Sequence, residues 1–302
     1  MKAKKNKLSS WLIKHPQVNP LKFSFDGAYR RFTASSRTLP DFQVIGFPRC
    51  GTKSLFSYVH QHPNIGIPTA YGKYFFNTNY HRGVNWYKSH YPTVKTKMRL
   101  KKENGAYVIG DYSASYMMWY HSALRIKKLI PNPKLIVVLR NPVDRAYSQF
   151  NRKEMTVQYR DDEVDASSFA DAINEDEKRL QNWEYMLKND LIVRENHVST
   201  HTPYLTMGKY VVHLKEWFKV FPKEQFHFVS TDDMSNEFDI QKTVSKVFSF
   251  LGLPDHKIKD STRKNVGSYE KINAEERNAL RDFYEPYNKE LEKLLDMKFN
   301  WN

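Results

Sequence analysis

The run Lys134-Leu135-Ile136-Val137-Val138-Leu139, followed at once by Arg140-Asn141-Pro142, constrains this chain more than any other stretch. Apolar residues fill both faces of the run, which suits a strand covered on both sides in the middle of a parallel sheet. Asn141 and Pro142 read as N-cap and first helical residue of a helix running to about Lys153.

The rest of the chain repeats that strand-then-helix grammar. Gln43 to Phe47 predicts a buried strand, and Thr52 to Gln61 a helix with Leu55, Tyr58 and Val59 on one side, ended by Pro63. A second strand is expected at Tyr107–Gly110 and a helix from Ser122 to Ile130, closed by Pro131. Further on, Leu205–Phe221 predicts an amphipathic helix, Gln225–Val229 a strand, and Ile240–Leu251 and Ala274–Leu295 helices. Residues 160–204 are charged and read as a helical insertion over the active-site side. Such alternation predicts a single three-layer α/β domain with a central parallel sheet over 41–302, behind a basic N-terminal arm at 1–40.

Charge narrows the partners. The 48 Lys and Arg outnumber 33 Asp and Glu, for a net +15, which points to an anionic partner. Cys50 is the only cysteine, so no internal disulfide forms and thiolate metal clusters are excluded. Trp11-Leu12-Ile13 is too short for a signal-peptide core, and no stretch of about 18 uncharged apolar residues occurs. The expectation is a cytoplasmic protein, with peripheral contact to an acidic membrane surface open to it.

Two segments carry the chemistry. Gly46-Phe47-Pro48-Arg49-Cys50-Gly51-Thr52-Lys53-Ser54 joins a strand to its helix, where backbone N–H groups and the positive helix end face an anion. Gly51 permits close backbone approach, Thr52 and Ser54 offer hydroxyls, and Arg49 and Lys53 add cations. The segment nearly spells GxxxxGK[ST], but Thr52 delays the lysine by one place. The second segment puts Arg140 at the carboxyl end of the strongest strand, the edge where open α/β sheets bind ligands. Ser148 follows about two helical turns into the next helix. Together they suggest a ligand with two separated anionic groups, while Asp144 and Arg145 are expected at solvent or the helix end.

At these residues the chain resembles the sulfotransferases that use 3′-phosphoadenosine 5′-phosphosulfate (PAPS), above all the heparan-sulfate-type (carbohydrate) members. The first loop is similar to their 5′-phosphosulfate loop, and the second segment to their strand–Arg–(seven residues)–Ser motif for the 3′-phosphate. Phe75-Phe76-Asn77…Trp86-Tyr87…Tyr91-Pro92, Gly110-Asp111-Tyr112-Ser113-Ala114-Ser115-Tyr116 and Gly208-Lys209-Tyr210…Trp217…Phe221-Pro222…Gln225 resemble further family segments. So does the tail, Arg281-Asp282-Phe283-Tyr284-Glu285-Pro286-Tyr287-Asn288 with Phe299-Asn300-Trp301, and the likeness covers about residues 40–302.

The resemblance implies a P-loop-like PAPS sulfotransferase fold. It also implies sulfuryl transfer from PAPS, as co-substrate and without a metal, to a hydroxyl or amine of a glycan, a glycolipid or another small acceptor, with no specific nucleic-acid partner. Arg49, Cys50, Gly51, Thr52, Lys53 and Ser54 would hold the 5′-phosphosulfate, and Arg140 and Ser148 the 3′-phosphate, with Arg263, Lys264, Gly267 and Ser268 closing over it. The aromatic stretch 71–92 offers rings to stack on pyranoses. The chain departs from the family in having no carboxylate at Ala70–Tyr74, where the catalytic Glu is expected, and in having Asn77 and Tyr112 for Asp and Lys.

Arg49 is expected to stabilise the leaving phosphate, with Asp111 as first candidate for the base, His81 as second, and Lys73 as a binding cation. Two other readings compete. A P-loop kinase or NTPase would want an Asp where Arg140 ends the strand. A non-enzymatic basic module for nucleic acid or glycan leaves the paired anion segments unexplained.

Overall fold

The computed structural model describes residues 25–69, 74–152, 168–189, 203–263 and 270–301. Five strands form one sheet: β1 (Phe42–Gly46), β2 (Ile65–Gly66), β3 (Val108–Tyr112), β4 (Lys134–Leu139) and β5 (Phe226–Ser230). Their order is β2-β3-β1-β4-β5 and all pairings are parallel. β1 and β4 lie at the centre and bury nearly every residue, as a doubly covered strand must. The predicted α/β architecture is thus the observed one.

Helices cover both faces. α1 (Phe25–Phe32) precedes the sheet, and α2 (Thr52–Val59) follows β1. α3 (Gly83–Lys88) and α4 (Val94–Asn104) lead to β3; α5 (Tyr120–Leu129) connects it to β4; α6 (Pro142–Arg152) follows β4. α7 (Phe169–Asn174) and α8 (Asp176–Lys188) belong to the charged stretch, and α9 (Tyr204–Gly208) and α10 (Tyr210–Phe218) lead to β5. α11 (Glu237–Leu251) and α12 (Ala274–Leu295) complete the chain. α2 packs on α11, while α10 packs on α5 and α12.

Local chemistry explains the boundaries. Asn141 caps α6 by accepting from Val143 N–H at 3.0 Å. Gly252 ends α11 in the left-handed region at φ 78°. The single helix expected over Leu205–Phe221 breaks at Lys209 into α9 and α10. Gly208 stands at that break, where the Tyr284 ring lies 2.7 Å from the place a Cβ would take. Two elements carry too little periodicity to announce themselves: β2 has two residues, and α4 buries none of its side chains.

The main core runs under both faces of the sheet, from Phe42 to Trp301. A smaller apolar cluster joins α6, α7, α9 and α12 through Val143, Phe169, Tyr204 and Tyr284. Within it Arg145, in the first turn of α6, is at the helix end as expected but fully buried and not at solvent. Its guanidinium donates to the Tyr204 carbonyl at 2.6 Å and to Gln149 at 2.8 Å, tying α6 to α9. Asp176 completes the tie by accepting from the Tyr204 and Leu205 N–H groups. Burial raises its carboxyl pKa even so.

Candidate active site

The loop after β1 and the turn after β4 lie side by side at the carboxyl edge of the sheet. Gly51 takes φ 84°, a backbone that costs glycine little, and opens α2. Arg49 also takes a left-handed φ, 69°. This sends its side chain across to α6, where Nε lies 3.0 Å from the Ser148 carbonyl and Nη2 2.9 Å from Ser148 Oγ. Arg140 answers from the other side, its Nη1 donating to the Arg49 carbonyl at 3.1 Å. Arg49, Arg140 and Ser148 therefore form one continuous basic wall, and a small dianionic ligand could touch both segments at once.

Two hydroxyls fix that wall. Tyr210 Oη donates to the Arg140 carbonyl at 2.8 Å and lies 3.4 Å from Cys50 Sγ, which leaves the thiol to donate to the same oxygen. Thr231 Oγ1 shares its proton between the carbonyls of Cys50, at 2.7 Å, and Leu139, at 2.9 Å. The first loop is thus pinned to the end of β4 by residues from α10 and from the turn after β5. Neither Tyr210 nor Thr231 stood out as a site residue in the sequence. Tyr210 sits in one of the family-like segments, but nothing local says where its hydroxyl points.

Thr52 and Ser54 are buried in the first turn of α2, and Lys53 between them is exposed. Arg263 donates to the carbonyls of Met234 and Ser235, both at 2.9 Å. That places it behind the turn whose Met234 packs against Gly51. Lys264, Gly267 and Ser268 lie outside the described residues, as do Lys73 and the segment 70–73.

Three expectations need correction. Cys50 turns inward: its thiol is fully buried and its pKa is raised by that burial, so any contact with a ligand comes from its backbone. Asp111 is also fully buried. It accepts from Tyr87 Oη at 2.7 Å and from Tyr112 N–H at 2.8 Å, the posture of a structural anchor and not of a base open to an acceptor. Burial first, then the Asp111 charge, pushes the Tyr87 phenol well up, so Tyr87 stays protonated and donates. The third correction concerns the aromatic stretch. Phe75, Phe76, Tyr87 and Tyr91 have no exposed surface, and Phe75 stacks on Tyr87 at 4.4 Å between centroids. Those four rings pack on one another and offer no face to a sugar, whereas Tyr74, in the same stretch, is 40% exposed. The second base candidate, His81, is exposed in the turn Tyr80–Arg82.

The sulfotransferase domain model matches residues 39–285, and the chain belongs to that family. Mouse heparan sulfate glucosamine 3-O-sulfotransferase 3B1 is 26% identical over 309 residues, covering 94% of this chain and 69% of the relative. Human carbohydrate sulfotransferase 15 is 26% identical, covering 88% of this chain and 55% of its own. The bifunctional heparan sulfate N-deacetylase/N-sulfotransferase 1 of Caenorhabditis briggsae is 27% identical, but the chain spans only 24% of its length. Among solved structures, a sulfotransferase from Alicyclobacillus acidocaldarius superposes with a TM-score of 0.62 at 25% identity, covering 87% of this chain and 98% of the other.

Proposed function

We propose that the chain transfers a sulfuryl group from PAPS to a hydroxyl or amine of a glycan or glycolipid. The observation that carries this reading is the junction of Arg49, Arg140 and Ser148, which joins the two anion segments through one guanidinium. The junction suits a nucleotide with a phosphate at each end of its ribose. The names of the mouse and human relatives point to a carbohydrate acceptor.

In the reaction, the acceptor oxygen or nitrogen attacks sulfur in line and loses its proton. The bond from sulfur to the bridging phosphate oxygen breaks, and adenosine 3′,5′-bisphosphate leaves with the electron pair. By analogy with phosphoryl transfer, the protein supplies position and charge. In this reading the α2 amides, Thr52 and Lys53 hold the 5′ end, and Arg140 and Ser148 the 3′ end. Arg49, set between them, offsets charge growing on the leaving nucleotide.

The test is incubation with PAPS carrying radiolabelled sulfate and a panel of glycans and glycolipids. Label should pass to at least one acceptor, and adenosine 3′,5′-bisphosphate should bind without Mg²⁺. Binding that demands Mg²⁺ and favours a nucleoside triphosphate would overturn the reading in favour of a P-loop kinase.

A further inference from the structure

The end of the domain opposite the phosphate loops carries a surface of its own. α4 has the sequence VKTKMRLKKEN, with five cations and one acid, and buries no residue. At about 100° per residue, its outward arc runs Lys101, Val94, Met98, Lys102, Lys95, Arg99. Lys97 turns the other way and pairs with Asp41, just ahead of β1. That contact sets α4 at the amino edge of the sheet, whereas Arg49 and Arg140 follow the carboxyl ends.

α1 lies beside it. The Arg37–Thr93 bridge and the Thr38 N–H to Pro92 carbonyl bond, at 3.0 Å, join the segment after α1 to the N-terminus of α4. α1 contributes the most exposed large apolar side chain of the described residues, Phe32 at 89%, and α4 contributes Met98 at 67%. The 24 residues that precede α1 add six lysines and no acid.

We propose that α1 and α4 form a docking surface for an anionic phospholipid bilayer. Charge complementarity supplies the attraction, and Phe32 and Met98 stand among the cations where they can enter the headgroup boundary. Position decides between a bilayer and an acidic polysaccharide. A sugar chain held at the amino edge lies on the wrong side of the sheet to reach the phosphate loops, whereas a bilayer there leaves those loops facing solvent. No helix among the described residues is long and apolar enough to cross a membrane.

Co-sedimentation of the full chain with vesicles tests this. Binding should be strong to phosphatidylcholine mixed with phosphatidylserine, absent from phosphatidylcholine alone, and weakened by salt. Each cation near an anionic surface is worth about fivefold in partitioning, so Lys95→Ser/Lys101→Ser/Lys102→Ser should lose on the order of 100-fold. Phe32→Ser/Met98→Ser should lose about tenfold with no change in salt dependence. These side chains are exposed, and near-UV circular dichroism checks that the fold is kept; were the triple variant misfolded, the double variant and the salt titration still decide. Equal binding to both vesicle types sinks the proposal, as does a folded triple variant that binds like the parent. Retention on an acidic polysaccharide column without vesicle binding also overturns it and assigns the surface to glycan.

Discussion

The loop at 47–54 and the stretch from Tyr74 to Asp111 both carry family-like motifs, yet the fold uses them in opposite ways. In the first, polar groups from three distant segments converge at a sheet edge: Arg49 on Ser148, Arg140 on the Arg49 carbonyl, Thr231 on Cys50. In the second, aromatic rings and a carboxylate close on one another until Phe75, Phe76, Tyr87 and Asp111 have no surface left. A motif specifies which residues recur together; exposure separates those that meet a ligand from those that hold the walls apart.

The contrast can be broken most forcefully at Arg49. Arg49→Ala should lower the rate of sulfuryl transfer by about 10²–10³-fold, the scale of losing one preorganised charge contact. Steady-state kinetics with unchanged thermal unfolding would support a role at the edge; full activity would remove Arg49 from the chemistry.

Acid probes the layer beneath the loop. His213 is buried, 5.6 Å between ring centroids from Phe47, and burial pushes its pKa down to about 4; His227 is likewise held at about 4. In the unfolded chain both titrate near 6.5. Between about pH 6.5 and pH 4 the unfolded state therefore binds more protons. The stability is present in full above that window and is lost as pH falls through it, on the order of a few kcal/mol in all. Urea unfolding across that range should show the slope, and His213→Gln should roughly halve it.

Asp111 sharpens the comparison from the other side. As an anchor, Asp111→Asn should cost about 2 kcal/mol of stability through its bonds to Tyr87 and Tyr112. Bisphosphate binding should change little once the variant is folded. A variant with normal unfolding and abolished turnover would return Asp111 to the role of base.

The smallest effect is expected at Ser148. Ser148→Ala removes one hydroxyl from the wall and should raise the dissociation constant for adenosine 3′,5′-bisphosphate about tenfold in calorimetry. Unchanged affinity would separate the second anion segment from nucleotide binding.

Read alone, the sequence determined the alternation of strand and helix, the central place of β4, and the two anion segments. These are local matters: a doubly apolar run, an Asn-Pro cap and a glycine turn act through neighbours in the chain. Tertiary structure decided the rest. Tyr284, many residues away, packs closely on Gly208 at the break between α9 and α10, and Tyr210 and Thr231 reach the site only because the sheet brings their elements beside β4. The burial of Asp111, Arg145 and the rings of Phe75, Phe76, Tyr87 and Tyr91 was equally hidden, because whether a side chain meets water depends on what packs over it.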